Sequence, residues 1–221
     1  MTHVTLIAPP TCRAINGFNF NKSIKAPLGL AYLCGALLKS NHDIHVIDAV
    51  GEAPEQYENY INGNVVRGLN AEQILNKISV ETDMIGISLM FAMDWMYVKK
   101  IIALIKEKFP DKLLIIGGEQ ATATYEHILK MTAVDVVALG EGDETIIDLA
   151  KNCYTPENLS NVKGIAFKDI HKNIVVTPKR SRILEIDDLA EPAWQFFPMQ
   201  NYMQYRTGLC SWEKKKIPML A

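Results

Sequence analysis

Short apolar runs alternate with amphipathic segments along the chain between His3 and Asn152. The apolar runs predict five strands, at 3–8, 43–49, 83–90, 112–118 and 134–140. Apolar residues at helical spacing predict the helices, at 28–41, 71–80, 94–109, 121–131 and 144–152. Runs that are apolar nearly throughout are typical of strands covered on both faces. Alternating strands and helices then predict a parallel sheet with right-handed crossover connections.

These strand–helix units predict an α/β fold of the flavodoxin-like (Rossmann-like) doubly wound class, with five parallel strands in the order 2-1-3-4-5. The polar stretches at 11–26 and 51–70 are predicted to be loops. We expect this domain to cover residues 1–153. Two short β-prone runs then predict a C-terminal β-hairpin extension at 154–178. The weakly periodic stretch 179–221 is predicted to be a linker.

Glycine-rich loops end the fourth and fifth predicted strands, as Gly117-Gly118 and as Gly140-Glu141-Gly142. The carboxyl ends of parallel strands meet at one edge of the sheet, called the rim below, where ligands bind near the point at which the strand order reverses. Glycine in these loops allows positive φ angles and close approach of another group. The helices that follow begin with unpaired N–H groups. We therefore predict that the rim carries a shelf for a flat ligand.

The predicted ligand-binding residues lie at the start of the first helix and in the loops after strands 1, 3, 4 and 5. They are Pro9, Pro10, Leu28, Gly29, Ser88, Leu89, Met90, Gly117, Gly118, Glu119, Gln120, Gly140, Glu141, Gly142, Glu144 and Thr145. The alternative is that the glycines only turn the chain and that Glu144 and Thr145 cap a helix. For Glu119 and Glu141, an interaction with helix N-termini is favoured over a general acid–base pair. Neither G-x-G-x-x-G nor a P-loop is present, so the spacing does not name the ligand.

Composition argues against several classes of partner. A formal net charge of −2 gives no electrostatic reason to expect nucleic acid or an anionic membrane. No apolar stretch approaches the roughly 20 residues that a membrane-spanning helix needs, and the start of the chain lacks the features of a signal peptide. None of the four cysteines, Cys12, Cys34, Cys153 and Cys210, belongs to a C-x-x-C pair. We therefore expect reduced thiols and a cytoplasmic protein without a local zinc or iron–sulfur site.

Several motifs occur in a specific order along the chain: APLGLAYLCGALLKSNHDIHVIDAVGE, IIGGEQATATYEHIL, DVVALGEGDET, VKGIAFK and RSRILEIDDLAEPAWQFFP. This ordered set resembles the N-terminal cobalamin-binding domain of cobalamin-dependent radical S-adenosylmethionine enzymes of the class B methyltransferase type. The second and third motifs resemble the family's Gly-Gly-x-His-Ala-Thr and Gly-Glu-Gly-Glu-x-Thr loops. Gln120 stands where the family commonly has histidine, so its contact with the corrin ring stays open.

The resemblance implies that the cofactor is cobalamin, bound with its dimethylbenzimidazole displaced (base-off). In another class of cobalamin protein, the histidine of an Asp-x-His-x-x-Gly loop after strand 1 ligates cobalt. Here Asp43-Ile44-His45 enters strand 2 and lacks the glycine. We therefore predict no histidine ligand from this chain.

Five large apolar side chains follow the third predicted strand: Met90, Phe91, Met93, Trp95 and Met96. Such a cluster usually belongs to the core, and the alternative, given the resemblance, is an apolar floor beneath the corrin. In the linker, we expect Trp194, Phe196 and Phe197 to pin the chain to the domain rather than to touch a ligand.

In the family, the sequence continues into a C-x-x-x-C-x-x-C loop that binds a [4Fe–4S] cluster. This chain stops at Ala221, before such a loop. We therefore expect a truncation, in which the absent C-terminal part holds the cluster, S-adenosylmethionine and a radical barrel that is the partner in cis. A standalone module is the alternative. The chain by itself is expected to bind the cofactor without catalysis, and the parent enzyme is expected to be a methyltransferase.

Two other functions stay open. A flavodoxin-like module could bind FMN or another nucleotide, although Pro9-Pro10-Thr11 is a poor phosphate loop after the first strand. The chain could also be a cofactor-free remnant of the fold. Neither the substrate nor the oligomeric state follows from the sequence.

Overall fold

The computed structural model describes residues 1–14, 24–152, 156–181 and 183–204. Its strands are β1 (His3–Ala8), β2 (Thr11–Ala14), β3 (Asp43–Asp48), β4 (Tyr57–Tyr60), β5 (Asn64–Arg67), β6 (Met84–Ser88), β7 (Leu113–Gly117), β8 (Val136–Ala138), β9 (Ile165–Lys168) and β10 (Ile174–Val176). Its α-helices are α1 (Leu28–Lys39), α2 (Ala49–Glu52), α3 (Ala71–Lys77), α4 (Trp95–Lys108), α5 (Glu119–Ala123), α6 (Tyr125–Met131), α7 (Asp143–Asn152), α8 (Pro156–Leu159) and α9 (Met199–Gln204). Short 3₁₀ turns form at Ile61–Gly63, Ala92–Asp94, Ile186–Asp188 and Trp194–Phe196.

The main sheet has seven strands in the order β10-β9-β8-β7-β6-β1-β3. Five of them, β3, β1, β6, β7 and β8, are parallel and follow the predicted order 2-1-3-4-5. The flavodoxin-like α/β class is therefore confirmed. The predicted total of five strands is too low, because the predicted hairpin, β9 and β10, pairs antiparallel to β8 and extends the same sheet.

Alternate strand residues enter two hydrophobic cores, one on each face of the main sheet. In β1, Ile7 joins the core that includes α3, α4 and α6, whereas Leu6 joins the core that includes α1 and α7. Gly86 in β6 leaves room for Leu6, because a Cβ there would lie 2.8 Å from Leu6 Cδ2. Burial on both faces explains why these strands are apolar nearly throughout.

A second sheet, with three strands in the order β2-β5-β4, occupies stretches that were predicted to be loops. The loop predictions for 11–26 and 51–70 are therefore wrong where β2, α2, β4 and β5 form. Asn62 and Gly63 make the turn between β4 and β5, with φ angles of 58° and 69°. An Asn-Gly pair is a strong hairpin signal. The hydrophobic pattern does not reveal this hairpin, because the stretch is mostly polar.

The described part of the predicted linker packs back on the domain. The Ala193 N–H donates to Ala31 O of α1 at 2.9 Å. Phe197 is 6% exposed, and its ring meets that of Trp194 edge to face with the centroids 6.0 Å apart. Phe196 is partly buried against the same core. These contacts confirm that the aromatic residues pin the linker to the domain.

The division into a domain at 1–153, a hairpin at 154–178 and a linker at 179–221 stays a prediction. The linker residues 205–221, together with Cys153 and Cys210, lie outside the described residues. Of the helices in the described ranges, none combines the length and the apolar character needed to cross a bilayer.

Candidate functional site

The carboxyl ends of the parallel strands form one rim, as predicted. Ser88, the last residue of β6, pairs in register with Gly117, the last residue of β7, and Ile116 pairs with Val137 of β8. Beyond the strands, the Leu89 N–H donates to Gly117 O at 2.7 Å. The loops that follow β6, β7 and β8 therefore lie side by side on one edge of the sheet.

Hydrogen bonds and close backbone contacts tie these loops to one another. The Ala121 N–H donates to Leu89 O at 3.4 Å, and the Gly140 N–H donates to Thr122 Oγ1 at 3.2 Å. Gly118 has a φ of 110°, and a Cβ there would lie 2.6 Å from Leu89 O. Only glycine accommodates both the φ angle and the close approach. Gly118 therefore has a structural role in holding the loop after β7 against the loop after β6.

Two other glycines of the rim border open space. A Cβ added at Gly29, at the start of α1, or at Gly140, after β8, would meet no atom within 4 Å. A Cβ at Gly142 would instead lie 3.1 Å from Leu33 Cδ2, so the loop after β8 adjoins α1. Helices α1 and α7 both begin at this part of the rim. The N–H groups of their first turns can bind polar groups of a ligand.

Four large apolar side chains are exposed where β6 ends, and we call them the apolar patch. They are Met90, Phe91, Met93 and Met96, each between 45% and 58% exposed. The interpretation as core is therefore wrong for these four, and of the five only Trp95 packs against the core. Met90 Sδ lies 3.0 Å from the position of a Cβ at Gly118, so the patch adjoins the loop after β7. Exposed groups of large apolar side chains are typical of binding surfaces.

Three of the predicted ligand-binding residues have side chains that contact the C-terminal segment. Glu141 Oε2 accepts a hydrogen bond from the Ile183 N–H at 3.3 Å. Glu144 Oε2 accepts from Arg180 Nη1 at 2.8 Å, and Thr145 Oγ1 accepts from Arg180 Nε at 3.2 Å. Arg180 follows β10 in the chain, and no local pattern in the sequence indicates these long-range contacts.

The other predicted residues all lie at the rim and differ in exposure. Pro10 and Leu89 are buried, Glu119 is exposed, and the half-buried side chains are those of Pro9, Leu28, Ser88 and Gln120. Gln120 Nε2 lies 3.5 Å from Thr124 Oγ1 of the same helical segment. Contact of these residues with a ligand stays a prediction.

The small sheet is fastened to the rim beside the apolar patch. The Cys12 N–H of β2 donates to Asp94 Oδ1 at 2.8 Å, and Arg13 Nη1 lies 3.6 Å from the same oxygen. Asp94 is 4% exposed, and burial raises the pKa of its carboxyl, although the Cys12 N–H and the Arg13 charge oppose this shift. Sequence reasoning missed this contact because it did not predict β2.

Asp48 ends β3 at the same rim and binds the last described helix. The carboxylate is 1% exposed and accepts hydrogen bonds from the Gly51 N–H at 3.0 Å and the Tyr202 O–H at 2.6 Å. Asn201 Nδ2 donates to Gly51 O at 2.7 Å. Burial raises the pKa of Asp48 from 3.8 to about 6, although the two hydrogen bonds lower it. Helix α9 is therefore fastened to the carboxyl end of β3.

None of the five histidines belongs to the loops that follow β1, β6, β7 or β8. They lie at the start of β1 (His3), before β3 (His42), within β3 (His45), in α6 (His127) and in the turn between β9 and β10 (His171). His45 pairs with Thr5 in the middle of β1 and is exposed, three positions before Asp48 at the rim. This placement is consistent with the prediction that no histidine of the chain ligates cobalt. That statement stays a prediction.

Residues 22–150 match the family model described as the B12 binding domain. The matched range covers more than half of the chain and contains the loops after β6, β7 and β8. The chain belongs to the B12-binding domain family. Family membership confirms the resemblance that the ordered motifs indicate.

This B12-binding domain is similar to segments of longer proteins. It is 30% identical over 191 residues to the anaerobic magnesium-protoporphyrin IX monomethyl ester cyclase of Cereibacter sphaeroides, covering 83% of this chain and 28% of the cyclase. It is 25% identical over 210 residues to the cytidylyl-2-hydroxyethylphosphonate methyltransferase of Streptomyces wedmorensis, covering 81% of this chain and 38% of that protein. The chain therefore spans well under half the length of both relatives.

Solved structures share the fold of this B12-binding domain. The cobalamin-dependent S-adenosylmethionine radical enzyme OxsB, with aqua-cobalamin and S-adenosylmethionine bound, superposes with a TM-score of 0.71 at 17% identity, over 94% of this chain and 26% of OxsB. The radical S-adenosylmethionine methyltransferase TsrM from Kitasatospora setae, with cobalamin and a [4Fe–4S] cluster bound, gives a TM-score of 0.58 at 14% identity, over 80% of this chain and 31% of TsrM. At these identities the likeness shows the fold.

Proposed function

We propose that this B12-binding domain binds cobalamin on the rim, held by the apolar patch and by the loops after β7 and β8. The apolar patch carries the proposal, because its four side chains are 45–58% exposed at the ligand-binding edge of a doubly wound sheet. A corrin ring is flat, with apolar faces and a periphery of amide groups. The open space at Gly29 and Gly140 and the N–H groups at the starts of α1 and α7 fit such a periphery.

The residues of the chain then have separate tasks. The apolar patch excludes water from beneath the ring, Gly118 holds the loops after β6 and β7 in contact, and Gly29 and Gly140 leave room for the ligand. When bound, cobalamin supplies the reactive cobalt chemistry, while the protein supplies binding and orientation.

We infer that cobalamin binds base-off, without a histidine ligand from this chain. The positions of the five histidines support the absence of a histidine ligand, because none of them belongs to a rim loop. The test is an electron paramagnetic resonance spectrum of cob(II)alamin on protein labelled with ¹⁵N-histidine. We expect no hyperfine coupling to ¹⁵N of histidine and none to ¹⁴N of dimethylbenzimidazole, and a coupled nitrogen of either kind would refute the inference.

We also propose that the domain serves a longer radical S-adenosylmethionine enzyme, most simply a methyltransferase. Relatives named as methyltransferases and two superposable radical enzymes support this proposal. In such an enzyme a different part of the protein would hold the [4Fe–4S] cluster and S-adenosylmethionine. One relative is named as a cyclase, and chemistry other than methyl transfer is therefore the alternative. An assay for methyl transfer from S-adenosylmethionine, made on the longer protein, distinguishes a methyltransferase from an enzyme with other chemistry.

Cobalamin binding by the chain itself is tested by titration with hydroxocobalamin and, separately, with FMN, followed by visible absorbance. We expect saturable cobalamin binding with the spectral shift of the base-off form. Binding of FMN without cobalamin would favour the flavodoxin-like alternative, and binding of neither would indicate a cofactor-free remnant.

The role of the apolar patch is tested by Phe91→Glu, with Ile170→Glu as a matched control. Both side chains are strongly exposed, at 58% and 80%, so neither substitution disturbs the core. Ile170 lies in the turn after β9, which runs antiparallel to β8, and therefore at the edge of the sheet opposite the rim. A carboxylate beneath the ring must be desolvated, so we expect Phe91→Glu to weaken cobalamin binding about tenfold or more. Equal affinities for the two variants would contradict a binding role for the patch.

A further inference from the structure

A short segment after β10 crosses the loop that follows β8, and we call it the strap (178–181 and Ile183). Its central residue is Arg180, whose side chain is 15% exposed. Arg180 Nη1 donates to Glu144 Oε2 at 2.8 Å and Nη2 donates to Asp148 Oδ2 at 2.5 Å. The guanidinium therefore bridges two carboxylates on successive turns of α7, a geometry that the planar fork of arginine favours.

The backbone of the strap holds the same loop. The Pro178 carbonyl accepts a hydrogen bond from the Gly164 N–H at 3.0 Å, and the Gly164 carbonyl accepts from the Leu139 N–H at 2.8 Å. At the far side of the loop, the Ile183 N–H donates to Glu141 Oε2 at 3.3 Å. The strap therefore bonds this loop directly at Glu141 and, through Gly164, at Leu139.

Gly164 lies where these elements meet, in a positive-φ conformation that glycine adopts without strain. Its φ is 73°, and a Cβ there would lie 3.4 Å from Leu139 O, 3.5 Å from Thr145 Oγ1 and 3.6 Å from Arg180 Cβ. Thr145, which is 1% exposed, accepts from Arg180 Nε and contacts Glu141 O at 3.4 Å. Arg180, which lies outside the range matched by the family model, 22–150, thus reaches the loop through Thr145.

We propose that Arg180 is a positioning residue for cobalamin binding, and that Glu141, Glu144 and Thr145 act through the strap rather than on the cofactor. This inference rests on the proposed function, because it assumes that the loop after β8 contacts cobalamin. The binding unit then extends beyond the family match to at least Ile183. The strap raises the affinity for cobalamin by holding the loop in the binding geometry. A loop that adopts this geometry only part of the time would lower the affinity in proportion to that fraction of time.

The main test compares Arg180→Met with Arg180→Lys in the full chain. Arg180→Met keeps the apolar stem, and the carboxylates of Glu144 and Asp148 are 55% and 40% exposed, so water can solvate them and the chain should fold. If the loop then holds the binding geometry about a tenth of the time, hydroxocobalamin binds about tenfold more weakly. Arg180→Lys keeps the charge without the fork and should restore part of the affinity.

Lys172→Met is the matched control, because Lys172 is exposed in the turn between β9 and β10, at the edge of the sheet opposite the rim, and forms no ion pair with any described residue. It should bind hydroxocobalamin as the wild type does. If the wild type does not bind, the proposed function itself fails. If the wild type and Arg180→Met bind equally well, only the strap inference is overturned.

A double-mutant cycle separates positioning from direct contact. If Glu144 acts only through Arg180, the double variant Glu144→Gln/Arg180→Met binds hydroxocobalamin no more weakly than Arg180→Met. Losses that multiply would show that Glu144 contacts the cofactor and would overturn the inference. Should Arg180→Met fail to fold, the titration uses Glu144→Gln/Asp148→Asn instead. This variant removes the same ion pairs by neutralising the two carboxylates of α7.

Hydrogen exchange without cobalamin gives a second, independent readout. In Arg180→Met, the amides of residues 139–146 should exchange faster, because the bonds through Gly164 and Ile183 lose their anchor. The amides of β1 should exchange as in the wild type. Unchanged exchange at 139–146 would show that the strap does not hold the loop.

Discussion

The buried carboxylate of Asp48 makes the stability of the domain depend on pH in an unusual direction. Burial raises the pKa of Asp48 from 3.8 to about 6 in the folded chain. Between these two values the unfolded chain loses the proton and the folded chain keeps it. Stability from this group is therefore fully present at low pH and is lost as the pH rises through this window. The usual aspartate, whose pKa falls on folding, behaves in the opposite way.

The magnitude follows from the shift. A difference of about two pKa units corresponds to about 3 kcal/mol in the free energy of unfolding. Asp48 is already partly ionised in the unfolded chain at about pH 4. We therefore expect the contribution of Asp48 to the free energy of unfolding to fall by roughly 2 to 3 kcal/mol between about pH 4 and about pH 7.5. Asp48→Asn keeps the shape of the side chain and removes the titration. Relative to Asp48→Asn, the wild type should thus gain stability as the pH falls.

The assay is urea unfolding of the wild type and Asp48→Asn at several pH values across this window. Subtracting the two free energies of unfolding removes the contribution of every other titrating group. Asp187→Asn, a substitution at an exposed aspartate, controls for the loss of one negative charge. A difference that stays flat with pH, or that rises with pH, would refute the argument from burial.

Three further predictions follow from other contacts. Tyr202→Phe leaves Asp48 Oδ2 without the O–H donor and should lower the free energy of unfolding, measured in urea, by about 1.5–3 kcal/mol near neutral pH. The loss should be smaller in acid, because the carboxyl of Asp48 is neutral there. Gly118→Ala should destabilise the chain more than Gly140→Ala, because both glycines have positive φ but only Gly118 would place its Cβ 2.6 Å from backbone; equal shifts in melting temperature would contradict this. Both ring nitrogens of His42 are buried without a hydrogen-bond partner among the described residues, so His42→Leu should raise the unfolding free energy by about 1 kcal/mol, and a lower free energy in urea unfolding would contradict this.

The parallel sheet was predictable because its strands are buried on both faces. Burial of this kind leaves continuous apolar runs, as in β6 and β7, and their alternation with helices predicts a parallel sheet. The small sheet was not predictable in the same way. Its strands β4 and β5 are short and partly polar, and the strongest sign of them is the turn at Asn62 and Gly63.

The position of the candidate site could be predicted from the sequence. The separate roles of its residues could be predicted only in part. Glycines at strand ends identify the rim, but they do not distinguish Gly118, which packs against Leu89, from Gly140, which borders open space. Likewise, Glu144 reads as a helix-start carboxylate, and nothing nearby in the sequence indicates its partner Arg180, 36 positions away. Contacts between distant segments depend on the assembled fold, which local patterns do not encode.

The direction of β1 has a practical consequence for attaching this molecule to a surface or a dye. Met1 is 86% exposed, and the strand that follows runs six residues before it reaches the rim. At about 3.3 Å per residue, the amino terminus lies about 20 Å from the loops proposed to hold the corrin. A label or bead coupled at that end would leave the opposite edge of the sheet free to meet a ligand from solution.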